Sequence, residues 1–293
     1  MTILIIGGNR FVGKLLAEAL IKSDQYTFPH YPTEVTVFNR KGTGPKGCLT
    51  IKGDRNNLED LKRINFAHFD CVVDMCLYNP GQFTLIEPFL DVEKPYIFIS
   101  SGAAYKDPDI WPIDENNELS GMNAYGDYGV EKAEVEYLIS KSKLKDCKIL
   151  RPTYIVGKGN HNPRLGHYIK CLQNKEPIYI AGDGENLISL VFAEDVVNLI
   201  LLMITSDKPW HDLEDYNVCN DEFLTVNSLI DIIAKELNIK NISKLSYHSS
   251  KAILPSNTYG IFSNDKVKAS YDIKFKKIKE SLPSYIEWYN KNN

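Results

Sequence analysis

The chain begins with a β-rich run, Thr2-Ile3-Leu4-Ile5-Ile6, that passes directly into Gly7-Gly8-Asn9-Arg10-Phe11-Val12-Gly13 and then into a helical-period stretch, Phe11–Ile21. A strand this apolar has to be covered on both faces, which is the situation of strands in a parallel sheet flanked by helices. A glycine turn between such a strand and a helix lets backbone approach a pyrophosphate and aims the helix N-terminal amides at it. Gly7 allows the tight turn, Gly8 the close approach, and Gly13 the close packing of helix on strand. Arg10, where a glycine often stands in the middle of such a turn, adds positive charge beside the phosphates.

The same alternation continues for about 150 residues. Strand-like runs fall at 34–38, 48–52, 71–75, 96–100 and 148–150, with helical stretches around 57–64, 80–90 and 125–142. The expected fold is α/β, a Rossmann-type doubly wound parallel sheet whose ligands bind at the carboxyl ends of the strands. After residue 150 the alternation loosens. Prolines and glycines cluster at 152–166 and 177–184, and helices are expected at 193–205, 226–237 and 278–290. The boundaries predicted are 1–150 for a dinucleotide-binding domain and 151–293 for a smaller substrate-binding lobe, with some of its segments packing back on the sheet.

Composition sets the class. With 293 residues, 25% charged, 43% hydrophobic and a net charge of −4, the chain reads as a soluble globular protein and not as one built to grip nucleic acid over its whole surface. No apolar run reaches membrane-spanning length, and no basic segment precedes Thr2–Ile6 as in a signal peptide. The six cysteines lack metal-ligand spacing. Cys71, Cys76, Cys147 and Cys219 sit in apolar contexts, so buried thiols in a reduced, cytoplasmic compartment are expected. His30, His68, His211 and His248 have no partner at ligand spacing, and His161 and His167, six apart, make a poor metal pair. No metal site is predicted.

Two further clusters carry chemistry. The second strand ends Asn39-Arg40-Lys41, without the carboxylate that would grip an adenosine ribose in an NAD site. Two cations stand where a 2′-phosphate would lie, so NADP is favoured over NAD; alternatively Arg40 stacks on the adenine or pairs on the surface. Asp54, in Gly53-Asp54-Arg55 after the third strand, is a candidate adenine-amino contact or a cap for the next helix. Farther on, Tyr128-Gly129-Val130-Glu131-Lys132 puts a tyrosine and a lysine on one face of a helix. A nearby ammonium stabilises a phenolate, so the tyrosine can pass protons. Ser101, at the end of the strand YIFIS, offers a hydroxyl to share the substrate oxygen.

Taken together, GGNRFVG at 7–13, GDR at 53–55, FISSGAAY at 98–105, YGVEK at 128–132, LRPTYIVGKGN at 150–160, AGDGENLISLVFAEDV at 181–196 and IEWY at 286–289 resemble an extended short-chain dehydrogenase/reductase of the NAD(P)-dependent epimerase/dehydratase family. The resemblance implies a cofactor held by Gly7, Gly8, Arg10, Phe11 and Gly13, with Ser101, Tyr128 and Lys132 catalytic and Lys132 also on the nicotinamide ribose. It implies an NAD(P)-dependent epimerase or reductase acting on a sugar-like hydroxyl/keto substrate, nucleotide sugars included, and a homodimer through the helix bearing Tyr128. Three departures narrow this. Gly102 and Ala103 stand where 4,6-dehydratases of the family carry an Asp–Glu pair, which argues against dehydration. Tyr154 and Ile188 stand where nucleotide-sugar epimerases carry Asn and Arg diphosphate anchors, leaving His161, Arg164, His167 or Lys170 to substitute. The GGxRFxG turn and the Phe38-Asn39-Arg40 strand end resemble an atypical branch that includes chloroplast stem-loop RNA-binding proteins. The alternative is therefore an RNA-binding or regulatory protein without redox turnover, for which residues 264–280 carry six lysines against three acids.

Overall fold

The computed structural model describes residues 1–22, 33–107, 110–160, 164–206, 210, 212–247, 254 and 260–293. His30, His161, His211 and His248 lie outside the described residues. The described elements run, in chain order, β1 (Thr2–Ile6), α1 (Phe11–Lys22), β2 (Glu34–Asn39), β3 (Leu49–Lys52), α2 (Leu58–Lys62), β4 (Cys71–Asp74), α3 (Pro80–Ile86), β5 (Tyr96–Ile99), α4 (Asp127–Lys141) and β6 (Cys147–Pro152). They continue with β7 (Tyr154–Val156), α5 (Arg164–Asn174), β8 (Ile178–Ala181), β9 (Leu187–Phe192), α6 (Ala193–Thr205), β10 (Glu214–Val218), β11 (Phe223–Thr225), α7 (Val226–Glu236), β12 (Lys244–Tyr247), α8 (Asp265–Ser270) and α9 (Ile278–Asn292).

Seven strands form the central sheet in the order β10-β6-β5-β4-β1-β2-β3, and every neighbouring pair in it is parallel. This is the Rossmann-like α/β plan expected from the alternation. The period-2 pleat of β1 shows why its residues had to be apolar. Ile3 and Ile5 enter one core with Leu16 and Leu20 of α1 and Ile200 of α6, while Leu4 and Ile6 enter the opposite core with Phe83 and with Val135 and Ile139 of α4. The strand order reverses direction between β1 and β4, and a crevice opens there at the strands' carboxyl ends.

The second half of the chain contributes both to this sheet and to a core of its own. β10 pairs with β6 as the seventh strand, with Tyr216 opposite Leu150, and α6 lies against α1. A separate core gathers β7, α5, β8, β9, α7 and α9 around Ile169, Ile180, Leu190, Ile230 and Leu282. In that core Tyr285 stacks on Trp288 at 5.8 Å. A small apolar group, Tyr105, Ile113, Cys219 and Phe262, bridges the two regions. Among the described residues no helix is long and apolar enough to cross a membrane.

Charge is buried at the sheet's second-half edge. Arg151 of β6, 2% exposed, pairs with Glu136 of α4 and with Asp215 of β10, each at 2.6 Å, and donates to the Tyr105 hydroxyl at 2.7 Å. Tyr105 in turn donates to Asn217 of β10 at 2.8 Å, and Ser100 donates to Glu136. Removing one partner of such a buried pair leaves an uncompensated charge in low dielectric. Glu136→Ala is therefore expected to lower the unfolding free energy by about 3 kcal/mol, measured by urea denaturation against wild type.

Candidate active site

A cavity of about 860 Å³ opens at the carboxyl ends of β1 to β5. Its floor is the glycine turn. Gly7 has φ +92°, a conformation side-chain-bearing residues rarely adopt, and a Cβ there would stand 3.0 Å from Cys76 Sγ. A Cβ at Gly13 would stand 2.7 Å from the Gly7 carbonyl oxygen, so only glycine lets α1 sit this close beneath the turn. Gly8 does different work. A Cβ there would meet the Ile5 and Val37 side chains at 3.0 Å, and the residue is buried between β1 and β2, outside the cavity lining. Gly7, Arg10, Phe11 and Gly13 do line the cavity, and so do Asn39, Arg40, Lys41 and Asp54. A backbone cradle that no Cβ could share, below exposed cations, fits an extended polyphosphate ligand.

The polar groups at the β2 and β3 ends are not equally free. Asn39 donates through Nδ2 to the Thr43 carbonyl at 2.7 Å and accepts from Lys41 N at 3.0 Å, so its side chain stitches the turn. Asp54 Oδ1 accepts from the Asn56 amide at 3.0 Å and from its Nδ2 at 2.9 Å, an Asx turn ahead of α2. Arg10, Arg40 and Lys41 are exposed, and none has an ion pair with a described residue.

Ser101, Tyr128 and Lys132 come together just beyond the end of this cavity that Ile99 and Tyr78 line. Ser101 caps a short turn at the end of β5, its Oγ accepting from Ala103 N at 3.1 Å, and its hydroxyl also meets that of Tyr128. α4 reaches this spot because glycines allow it. A Cβ at Gly129 would stand 2.5 Å from the Ala103 carbonyl oxygen, and one at Gly121 would overlap the Gly129 carbonyl carbon at 1.9 Å. Lys132, 2% exposed, donates to the carbonyls of Leu77 at 2.6 Å and Ile99 at 2.9 Å. Its ammonium lies 4.8 Å from the Phe98 ring centroid and 5.9 Å from that of Tyr128. Burial pulls the Lys132 ammonium down to about 8, against the pull of Asp74 and Glu136. Burial raises the Tyr128 hydroxyl above its ordinary value, while its bond to Ser101 and the charge of Arg164 oppose that rise.

Beyond Tyr128 lies an aromatic wall. The hydroxyls of Tyr125 and Tyr154 are 2.6 Å apart, and the Arg164 guanidinium stands 5.0 Å from the Tyr154 ring centroid with its Nε buried and, among the described residues, unpaired. Ile188 is fully buried in the second core. Tyr105 is core and not cleft, since it is 1% exposed and bonded to Arg151. His167 faces Cys171 across 3.6 Å, and no group of three metal-ligating side chains occurs among the described residues. Two of the lysines in 264–280 are engaged, Lys266 with Asp215 at 2.6 Å and Lys268 with Asp221 at 2.8 Å. Cys71, Cys147 and Cys219 are buried free thiols, and the half-buried Cys76 lines the cavity.

Sequence reasoning gave no role to Arg55, Asp74 or Glu136. Asp74 was visible as the single charge in the strand Cys71-Val72-Val73-Asp74, where a buried carboxylate demands a counter-charge. Its partner is Arg55, 2.6 Å away.

Residues 79–219 match the model of the NAD dependent epimerase/dehydratase family. A chloroplast stem-loop binding protein of 41 kDa from Arabidopsis thaliana is 26% identical over 254 residues, 80% of this chain but only 62% of that relative's length. A Methanocaldococcus jannaschii protein, provisionally named a UDP-glucose 4-epimerase, is 24% identical over 99% of both chains. The crystal structure of UDP-glucose 4-epimerase from Bifidobacterium longum in complex with NAD+ and UDP superposes with a TM-score of 0.80, at 17% identity over 100% of this chain and 99% of that one. At that identity the likeness is one of fold. Residues 79–219 thus resemble the NAD dependent epimerase/dehydratase family, as do the motifs of the chain.

The lowered Lys132 value has a measurable sign. Below pH 8 folded and unfolded chains both hold the proton, and the burial penalty on the ammonium is complete. From pH 8 to 10.5 the folded state releases its proton first, so wild type gains stability relative to Lys132→Met, on the order of 3 kcal/mol across that window. Denaturation of both proteins across this range checks it; parallel curves would contradict the lowered value.

Proposed function

We propose that the protein is an NAD(P)-dependent epimerase or reductase acting on a sugar-like hydroxyl/keto substrate. One observation carries the reading: the Ser101 and Tyr128 hydroxyls and the buried Lys132 ammonium meet beside the cavity formed by the glycine turn. A chain with no proton to move has no physical need to hold a buried ammonium beside a tyrosine. The family match supports the same class.

A bound nicotinamide dinucleotide would supply the hydride acceptor in its oxidised form and the hydride donor in its reduced form. The chain's own residues do the rest. Gly7 and Gly13 keep the cradle open, and Arg10 and Phe11 line it. Tyr128 takes the proton from the substrate hydroxyl, Ser101 donates to the same oxygen, and the Lys132 charge favours the phenolate. Lys132 is also the residue to meet the nicotinamide ribose. No carboxylate ends β2, and the Asn39 side chain is occupied within its turn. Arg40, Lys41 and Arg10 therefore favour NADP, although the Bifidobacterium longum structure holds NAD+.

On the substrate side, Gly102 and Ala103 offer no second acid or base, so the reading is epimerisation or reduction without dehydration. Tyr154 and the buried Ile188 supply no diphosphate donors of the usual kind, and Arg164, whose guanidinium stands over the Tyr154 ring with Nε unpaired among the described residues, is the cation favoured for an anionic substrate group. Residues 1–150 would carry the cofactor and 151–293 the substrate lobe. The reading extends to a homodimer through the helix that bears Tyr128.

Calorimetry with purified protein should show NADP(H) binding. Tyr128→Phe should retain that affinity while hydride exchange with a panel of nucleotide sugars and keto sugars falls by about 10²–10⁴-fold. A wild-type protein that binds no dinucleotide but binds RNA, with an affinity falling steeply with salt, would overturn the enzyme in favour of the stem-loop-binding alternative. Arg40→Ser should weaken NADP about tenfold and leave NAD unchanged, as removal of one charge-assisted phosphate contact predicts; equal loss for both would remove the 2′-phosphate assignment.

A further inference from the structure

Arg55 follows Asp54 in the turn after β3, yet its side chain runs inward and the residue is only 7% exposed. Its Nη1 donates to Asp74 Oδ1 at 2.6 Å and stands 3.7 Å from Cys76 Sγ. The Asp74 carboxylate is otherwise engaged, Oδ1 by the Cys76 amide at 3.1 Å and Oδ2 by the Tyr96 hydroxyl at 3.1 Å. Arg55 Nε and Nη2 are buried, and among the described residues neither finds an acceptor. In a guanidinium the Nε–H and the adjacent Nη2–H point the same way, so this free edge is a two-donor fork held in a fixed plane. Buried polar groups are nearly always paired, and here the unpaired charged fork belongs to a residue that lines an open cavity.

The neighbours locate that ligand. Arg55 lines the cavity together with Gly7, Asp54 and Cys76, and Cys76 is the side chain that a Cβ on Gly7 would strike. The guanidinium thus lies at the end of β4 beside the glycine turn, held by Asp74, while its own backbone follows Asp54 after β3. We propose that Arg55 is a ligand-reading residue whose Nε and Nη2 donate to acceptor atoms of the adenosine diphosphate half of the dinucleotide, with Asp74 holding the guanidinium in place. This rests on the dinucleotide reading above and adds to it a buried contact distinct from the exposed cations Arg10, Arg40 and Lys41.

Arg55→Lys separates holding from reading, because lysine keeps a charge opposite Asp74 but has no fork. Titrated with ADP in a calorimeter, the variant should bind about tenfold or more weakly than wild type, with its thermal midpoint unchanged. Should R55K not fold, the double variant Arg55→Met/Asp74→Asn, which removes both buried charges, should show the same loss. ADP affinity equal to wild type in the folded variant overturns the proposal and leaves the dinucleotide reading standing. A wild-type protein that binds neither ADP nor a dinucleotide overturns both.

Discussion

The arrangement of the site depends on one buried cation. Arg151 lies in the interior of β6 and can stay there only because Glu136, Asp215 and the Tyr105 hydroxyl surround it. Each partner comes from a different part of the chain: α4, β10 and the segment after β5. Satisfying the guanidinium therefore fixes three elements relative to the sheet in one step. Glu136 lies one helical turn beyond Lys132 on α4, so the pairing also sets how far that helix slides along the sheet. A fork-to-carboxylate contact is directional, and apolar packing of Val135 and Ile139 alone would tolerate more slip.

A second buried pair, Arg55 with Asp74, does the corresponding job on the other side of β5. Asp74 stands at the end of β4 and gathers Arg55, Tyr96 and the Cys76 amide. Between these two charged clusters lies Lys132, which has no carboxylate of its own and rests on two carbonyls and a ring of aromatic faces. Carboxylates at Asp74 and Glu136 are close enough to favour its charge and too far to neutralise it by contact. The result is an ammonium whose hold on its proton is weakened by burial and partly restored by the two carboxylates.

How much of this was legible in the sequence follows from how local each signal is. Strands β1, β2, β4, β5 and β6 and helices α1, α4, α6, α7 and α9 announce themselves by pattern, because each buries a stripe or a face that its own residues define; β3, largely exposed, is legible only from its β-rich composition. β10 does not: Glu214-Asp215-Tyr216-Asn217-Val218 reads as a polar loop, since its charged residues answer Lys148 and Arg151 on another strand. Helix α5 follows a proline- and glycine-rich stretch and was missed for that reason. The site divides in the same way. Tyr128 and Lys132 are four apart, and their helix supplies the geometry. Arg55 and Asp74 are 19 apart, and nothing short of the folded sheet brings them together. Gly8 is the reverse case, a residue whose motif suggests contact with ligand while its neighbours Ile5 and Val37 need the space.

The parentage of β10 has a consequence for how the chain can be divided. A fragment ending just after β6 would keep the glycine turn and α4 but expose β6 as a bare edge along Lys148–Pro152, with unpaired backbone amides and carbonyls facing solvent. Arg151 would lose Asp215, and Tyr105 would lose Asn217. Such an edge, apolar at Ile149 and Leu150, invites strand addition from a second fragment and so self-association. The second half thus supplies the strand that covers the sheet edge the first half would leave bare.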